Sequence, residues 1–418
     1  MNIVIISTSD IGHGAGIAAY RLHKGLRETG INSSMMVSEK MSDDNLVFPA
    51  KKEPSSRVGQ FFRNIDHQIE YVLNLIGPQN IYSVASRGIE NNKLIQQADI
   101  IHMHNIHWLS GNFSLLQLFL AKKKPVIWTI HDMWPMTGHC FYSLDCQRWR
   151  TGCGHCPDLK IFVPIKYDSS AFQWKIKRAI YKKTQPLVVT PSKWLAEIIS
   201  EAPVFRGCEV VNIPNGIDQE KFKPIDQKEA RGYFDLETDK KIVLFVSSEL
   251  RHARKGYEYF EKAILSIREK NSDILIMTVG KGSLPSVLKE KFNTKELGYI
   301  ESPEKMAKVY SSADIYVMPS LQDNLPNVAI ESLACGTPVV CFDTGGVPEI
   351  VEHLKNGYVA KHKDVKDLAK GMNKLLNDRG LRKEMKINAI KTVGEKFSES
   401  LQVKRHIDLY ERVLKTRI

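Results

Sequence analysis

Two carboxylates, Asp323 and Glu331, flank an expected helix start in MPSLQDNLPNVAIESLACGTPVVCFDTGGVPE, residues 318–349. Asn324, Leu325, Pro326 and Asn327 follow the strand-like run IYVMPS and precede the apolar Val328, Ile330 and Leu333. A helix is therefore expected to begin near Pro326 and to end before Gly336, where TPVVCF resumes as a buried strand. The open amides of such a helix start suit an anion such as a diphosphate, and carboxylates beside it suit sugar or ribose hydroxyls. An ordinary βαβ unit with a solvated Asp and a surface Glu fits the same spacing. Arg251, Arg254 and Lys255 in VSSELRHARKGYEYF lie in a loop between a strand and a helix, where cations either oppose a diphosphate or are simply solvated.

Other residues of the same kind sit earlier in the chain. VIWTIHD ends a strand at His131 and Asp132, on the carboxyl side where open α/β sheets place ligands, and HMHNIH offers His104 and His107 as further candidates. DIGHGAGIAAYRLHKGL brings Gly12, Gly14 and Gly16 before a helical run; glycine admits close ligand approach, but the spacing matches the dinucleotide fingerprint only in part. Ser192 in VVTPSKWL and Asn215 in IPNGID fit capping and turn roles as well as a site. Cys140, Cys146, Cys153 and Cys156 fall in HCFYSLDCQRWRTGCGHCP, the pattern C-x5-C-x6-C-x2-C. Four thiolates at that spacing suit a structural zinc, with reduced thiols or reversible disulfides as the alternatives.

The elements that must position these residues alternate strand and helix, which indicates an α/β protein with parallel sheets. NIVIIS, ADIIHMHN, KPVIWTIHD, PLVVTPS and VVNIPNGID read as strands of a first half; KKIVLFVSS, DILIMTVGKG, a short piece around LGYI, DIYVMPS and TPVVCFD read as strands of a second. The turn in IPNGIDQEKFKPID, residues 213–226, marks the boundary. LQVKRHIDLYERVLKTRI, near 400–418, is helical in pattern.

Residues 318–349 resemble the signature of the family 4 retaining glycosyltransferases: two acidic residues, a small-residue turn, a TPVV strand and a GG-x-PE turn. That resemblance implies the GT-B architecture, two Rossmann-like domains facing across a cleft, with 1–220 the acceptor domain, 221–399 the nucleotide-sugar donor domain, and the helix at 400–418 crossing back. It assigns Asp323 to the donor sugar and Glu331 to the ribose, although Asp323 is one methylene shorter than the family's usual Glu. It places Asn324 to Asn327 on the donor, Lys255 with Gly256 on its phosphates, and Arg251 or Arg254 as the partner cation. Gly14, Ala15 and Gly16 face the phosphates and the acceptor, His131 lies beside the donor sugar, and Gly298, Tyr299 and Ile300 border the base. His131, Lys255 and Asp323 thus stand as the catalytic residues.

The activity implied is retaining, metal-independent transfer from a nucleotide-diphosphate sugar to a saccharide or lipid-linked saccharide in surface polysaccharide assembly, with no catalytic cofactor. No DxD-type acidic pair stands out. A sugar-nucleotide epimerase or glycogen-type synthase of the same architecture is the alternative, and a zinc-stapled nucleic-acid binder the remote one; no recognition helix or stacking module supports the latter, so no nucleic-acid partner is expected.

The chain has 418 residues, 43% of them hydrophobic, enough for two or three domains, and no run approaches a membrane span. MNIVIISTSD lacks the features of a secretory leader, and seven cysteines fit a reducing compartment, so a cytoplasmic location is expected. The net charge of +12 fits phosphorylated substrates or an anionic membrane face. QWKIKRAIYKK, residues 173–183, and FFRNIDHQIEYVLNLIG, residues 61–77, read first as core-packing helices, with contact with such a membrane, at its inner face, as the alternative.

Overall fold

The computed structural model describes residues 1–50, 92–106, 124–161, 164–268 and 273–416, with isolated positions 65, 68 and 72. His107 and the 61–77 stretch, apart from those positions, lie outside the described residues. The chain divides into two units, one of Met1–Gly216 with Ser400–Ile418 and one of Ile217–Glu399, so the division falls within PNGID.

The first unit is built on strands β1 (Asn2–Ser9), β2 (Asn32–Glu39), β3 (Val47–Pro49), β4 (Ile100–Met103), β5 (Val126–Thr129), β6 (Leu187–Thr190) and β7 (Val210–Asn212). They form one sheet in the order β3-β2-β1-β4-β5-β6-β7, every pair parallel. Helices α1 (Gly14–Glu28), α2 (Ser170–Thr184) and α4 (Glu399–Lys415) pack on it; α3 (Asn327–Ala334) belongs to the other unit. β1 and β4 are buried on both faces because both faces are covered. Ile3, Ile5, Ile100, Ile127 and Val189 meet α1 and the terminal helix through Leu22, Leu26, Val403, Leu409 and Tyr410. Val4, Ile6, Ile101, Trp128 and Val188 meet Trp174, Ile180 and Tyr181 of α2 on the opposite face. The basic stretch 173–183 therefore turns its apolar side into the core. Among the described residues no helix is long and apolar enough to cross a membrane.

The second unit repeats the plan with β8 (Lys241–Glu249), β9 (Ile274–Lys281), β10 (Asn293–Glu296), β11 (Ile315–Met318), β12 (Val339–Phe342) and β13 (Gly357–Ala360), ordered β10-β9-β8-β11-β12-β13 and parallel throughout. LGYI is not a strand: pairing stops at Glu296, and 297–300 form the loop beyond it. β2, β3 and β13 add strands that the hydrophobic runs did not mark.

Both sheets reverse direction of growth beside their first strand, between β1 and β4 and between β8 and β11. At such a switch point the loops leaving the two strands diverge and open a crevice at the carboxyl edge. Among the described residues, the candidate site residues other than the cysteines belong to loops or the first turns of helices at those edges.

Candidate functional site

In the second unit the switch point lies between the loop that leaves β8 and the one that leaves β11. After β8 the chain makes a short 3-10 turn over Ala253–Lys255 and then reverses at Gly256, whose φ is +72. A Cβ there would lie 1.8 Å from Pro319 O, so only glycine lets the β8 loop press against the β11 loop. Leu321 N donates to Arg254 O at 2.8 Å, and the Arg254 guanidinium donates to Gln322 O at 2.9 Å.

That contact delivers two cations to one carboxylate. Lys255 Nζ is 2.6 Å from Asp323 Oδ2 and Arg254 Nη1 is 3.2 Å from the same oxygen, while Asp323 is only 6% exposed. Burial works to raise the Asp323 pKa, but Lys255 and Arg254 outweigh it and hold the carboxyl at about 2. Burial pulls Lys255 below its ordinary value, with Asp323 opposing and Arg254 reinforcing. With two cations on one oxygen, Asp323 is ionised at neutral pH.

The backbone of Asp323 is gripped from the far side too. Gly345, at φ +57, approaches so closely that a Cβ would stand 1.9 Å from Asp323 O, and Gly346 N donates to that oxygen at 3.0 Å. The GG-x-PE turn after β12 is thereby a brace for the acidic loop. Pro326 then caps α3, which ends at Cys335 and Gly336 (φ +81), as the spacing predicts. Leu325 and Asn324 are buried under this loop. Glu331, in the second turn, accepts from Tyr310 Oη at 3.1 Å, a buried hydroxyl whose pKa burial and Glu331 push well up.

Of the two arginines that could partner Lys255, Arg251 is exposed and Arg254 is the one that the structure brings to Asp323. Gly298, Tyr299 and Ile300 leave edge strand β10 at the same side of the sheet, with Gly298 O accepting from Gly280 N at 2.9 Å and Tyr299 49% exposed. The structure brings them to the shared edge, not into the Lys255–Asp323 cluster.

In the first unit, Gly14, Ala15 and Gly16 open α1, and a Cβ on Gly16 would meet Ser9 O at 2.6 Å. Asp10, which sequence reasoning missed, is fully buried and accepts from Ile11 N, Met41 N and Ser42 N at 2.8 to 2.9 Å, tying the β1 loop to the β2 loop. His131 sits just past β5, its Nε2 3.1 Å from His104 Nδ1; burial lowers its pKa to about 4. Asp132 accepts from Trp134 N at 2.9 Å and Ser192 from Leu195 N at 3.0 Å, both local capping bonds. His102, His406 and Tyr410 extend the histidine group and were also missed. Two signals mark them: polar residues alternating along the inner face of β4, and an i, i+4 pair on the terminal helix.

Of the three readings open for the four cysteines, the structure shows free thiols. Among the described residues no set of three or more His, Cys, Asp or Glu side chains is placed to hold a metal ion. Cys153 Sγ accepts from Gly138 N at 3.2 Å, and Cys156 Sγ lies 3.2 Å from His139 Nε2. Burial pushes the Cys140 thiol up to about 12 and Cys153 to about 11. The loop is pinned instead by the buried Lys177, whose Nζ donates to Trp134 O at 2.7 Å and Thr137 O at 3.0 Å and lies 3.8 Å from the Trp134 ring centre.

The site can therefore bind an anion at Lys255 and Arg254 and hydroxyl groups at acidic residues beside them. Comparison with known proteins agrees in kind. The family model described as Glycosyltransferase Family 4 matches residues 12–221, and the one described as Glycosyl transferases group 1 matches residues 226–392. An uncharacterized glycosyltransferase of Methanocaldococcus jannaschii is 28% identical over 76% of this chain and 76% of its own length. A putative colanic acid biosynthesis glycosyl transferase of Escherichia coli (strain K12) is 25% identical over 60% of this chain and 62% of its own. The N,N'-diacetylbacillosaminyl-diphospho-undecaprenol alpha-1,3-N-acetylgalactosaminyltransferase of Campylobacter jejuni is 30% identical over 48% of this chain and 53% of its own. The chain thus spans less than two thirds of the last two. Among solved structures, sucrose-phosphate synthase from Thermosynechococcus elongatus superposes with a TM-score of 0.68 at 18% identity over 100% of both chains. Anabaena HepE in complex with UDP and glucose gives 0.65 at 15% identity over 98% of this chain and 99% of its own, and both share the GT-B fold. With one family model spanning half the chain and the other covering the unit that holds Lys255 and Asp323, this protein belongs to glycosyltransferase family 4 and is a glycosyltransferase of GT-B fold.

Proposed function

We propose that the protein transfers a glycosyl group from a nucleoside diphosphate sugar to a hydroxyl of a saccharide or lipid-linked saccharide, with retention and without a catalytic metal, in surface polysaccharide assembly. The observation that carries this reading is the pair of cations, Lys255 and Arg254, converging on Asp323 at the switch point of the second unit. A donor diphosphate competes with Asp323 for those cations. As the bond to the anomeric carbon breaks, charge builds on the departing diphosphate, and pre-placed cations stabilise it without reorganisation. Asp323, released from part of its pairing, accepts from sugar hydroxyls, and Glu331 from the ribose. Loop residues 324–327 and 298–300 line the donor and its base, His131 orients the sugar, and the Gly14–Gly16 turn lets phosphate and acceptor approach the backbone. The names of the Escherichia coli and Campylobacter jejuni relatives, which refer to colanic acid biosynthesis and to a diphospho-undecaprenol saccharide, support a polysaccharide setting and a lipid-linked acceptor.

The test is a thermal-shift screen of the full chain against nucleoside diphosphate sugars, since a ligand held only by the folded state raises the melting temperature. The donor found is then incubated with lipid-linked acceptors in excess EDTA, and the anomeric configuration of the product is read by NMR. Failure to bind any nucleoside diphosphate sugar would sink the reading; inversion, or activity lost in EDTA and restored by a divalent ion, would remove the corresponding part of it.

A further inference from the structure

His102 and His104 alternate along one face of β4 and its extension, and Thr129 and His131 do the same beside them from β5. His104 is held rigidly: its N donates to Ile6 O at 2.8 Å, its O accepts from Trp128 Nε1 at 3.0 Å, and the residue is 2% exposed. The His102 ring packs behind it with centroids 4.4 Å apart, itself fixed by Tyr410 Oη at 2.6 Å from Nδ1 and Thr129 Oγ1 at 2.8 Å from Nε2. In front, His104 Nδ1 faces His131 Nε2 at 3.1 Å, with the two rings stacked.

That contact leaves a choice of donor. Burial keeps both imidazoles neutral at pH 7, so each ring carries a single N–H. His104 Nε2 is buried and has no hydrogen-bond partner among the described residues. Were His131 to donate from Nε2, His104 would accept at Nδ1 and carry its own proton on Nε2, a buried donor facing no acceptor. With His104 donating from Nδ1, the orphan is a bare ring nitrogen instead. Folded proteins avoid orphaned buried N–H groups more consistently than under-used acceptors.

We propose that His104 is a positioning residue whose Nδ1–H donates to His131 Nε2, fixing the His131 ring and placing its proton on Nδ1. The consequence is chemical. With the Nε2 lone pair engaged and Nδ1 protonated, His131 can donate a hydrogen bond to a sugar but has no free lone pair with which to take a proton. This inference rests on the reading that His131 faces the donor sugar, and it assigns that residue to orientation and not to general-base work.

The experiment uses the full chain labelled with 15N-histidine. In the wild type at pH 7.5, His131 should show an unprotonated Nε2 and a protonated Nδ1; the reverse assignment overturns the proposal. In His104→Leu the single His131 tautomer should be lost and turnover should fall about ten- to a hundred-fold with donor KM nearly unchanged. His104→Asn, whose amide still donates, should recover most of that turnover. Wild-type turnover in a folded His104→Leu protein overturns the positioning role, as does an equal loss in both variants. If the wild type transfers no sugar at all, the functional reading has failed, and the tautomer assignment still decides the hydrogen bond.

Discussion

Replacing Asp323 by Asn removes one charge with little change of shape, and its cost follows from the geometry. Asp323 Oδ2 meets Lys255 at 2.6 Å and Arg254 at 3.2 Å in a site where the residue is 6% exposed. The pair lowers the carboxyl from 3.8 to about 2 against the opposing pull of burial. A shift of that size is worth about 2.5 kcal/mol of folding stability at neutral pH. Because the folded pKa is depressed, this stability is fully present above the unfolded value and is lost as pH falls toward 2. Asp323→Asn should therefore melt about 5–10 °C below wild type at pH 7, and the gap should shrink steadily between pH 4 and pH 2. Calorimetry of both proteins across that range measures it. Adding a nucleoside diphosphate at pH 7 should narrow the gap, since its phosphates supply the missing charge to Lys255 and Arg254. A gap that is absent at pH 7, or constant with pH, refutes the account of this cluster; a gap that ignores the nucleotide refutes its use as a phosphate site.

Lys255→Ala should lower turnover by about 10²–10³-fold with the fold retained, as loss of a transition-state cation does, whereas Arg251→Ala should change initial rates little because Arg254 is the residue beside Asp323. Gly345→Ala must move a Cβ that would sit 1.9 Å from Asp323 O at φ +57; the strain of about 1–3 kcal/mol should appear as a lower melting temperature and weaker nucleotide binding, measured by calorimetric titration. His406 is 1% exposed and burial lowers its pKa from 6.5 to about 4, so the unfolded chain binds its proton first. Stability is highest above pH 6.5 and falls as pH drops toward 4, by about 3 kcal/mol for this group; thermal melts of His406→Gln should show a shallower acid slope than wild type.

The place of Lys255, Asp323 and Glu331 beyond the carboxyl ends of apolar strands was legible in the sequence, but position alone left solvated side chains equally open, and only the family resemblance gave them roles. Which arginine accompanies Lys255 was not legible. Arg251 and Arg254 share one loop, and only the 3-10 turn over Ala253–Lys255 decides which of them meets the β11 loop. Strand β10 was displaced onto LGYI because Asn293–Glu296, NTKE, is an edge strand with two of its four residues exposed, and an edge needs no apolar run. Of the histidine group, His104 and His131 stand out in the sequence at strand ends, but His102 lies within β4, and Tyr410 and His406 join it only because the terminal helix packs on that sheet. The cysteine spacing suggested a closed metal site, yet spacing does not fix where the thiols turn. Positive φ values at Leu144, Cys153 and His155 send this loop along a path that sequence does not announce.

The two units use one strand order for opposite electrostatic ends. At the switch point of the second, a carboxylate is outnumbered by two cations, and the local charge is positive. In the first, the corresponding edge carries a glycine-opened helix and imidazoles that burial keeps neutral at pH 7. A positive pocket holds an anion strongly, while neutral donors and acceptors discriminate among hydroxyl groups by direction without fixing a charge. Taken each by itself, the Lys255–Arg254 edge suits a diphosphate and the histidine edge suits uncharged hydroxyl groups. On this division, removing the charge at Lys255 should weaken donor binding as well as turnover, whereas altering His104 or His131 should change turnover with donor affinity nearly unchanged. Separate effects on donor affinity and on turnover, measured on the same preparation, would bear it out; a shared effect on affinity alone would contradict it.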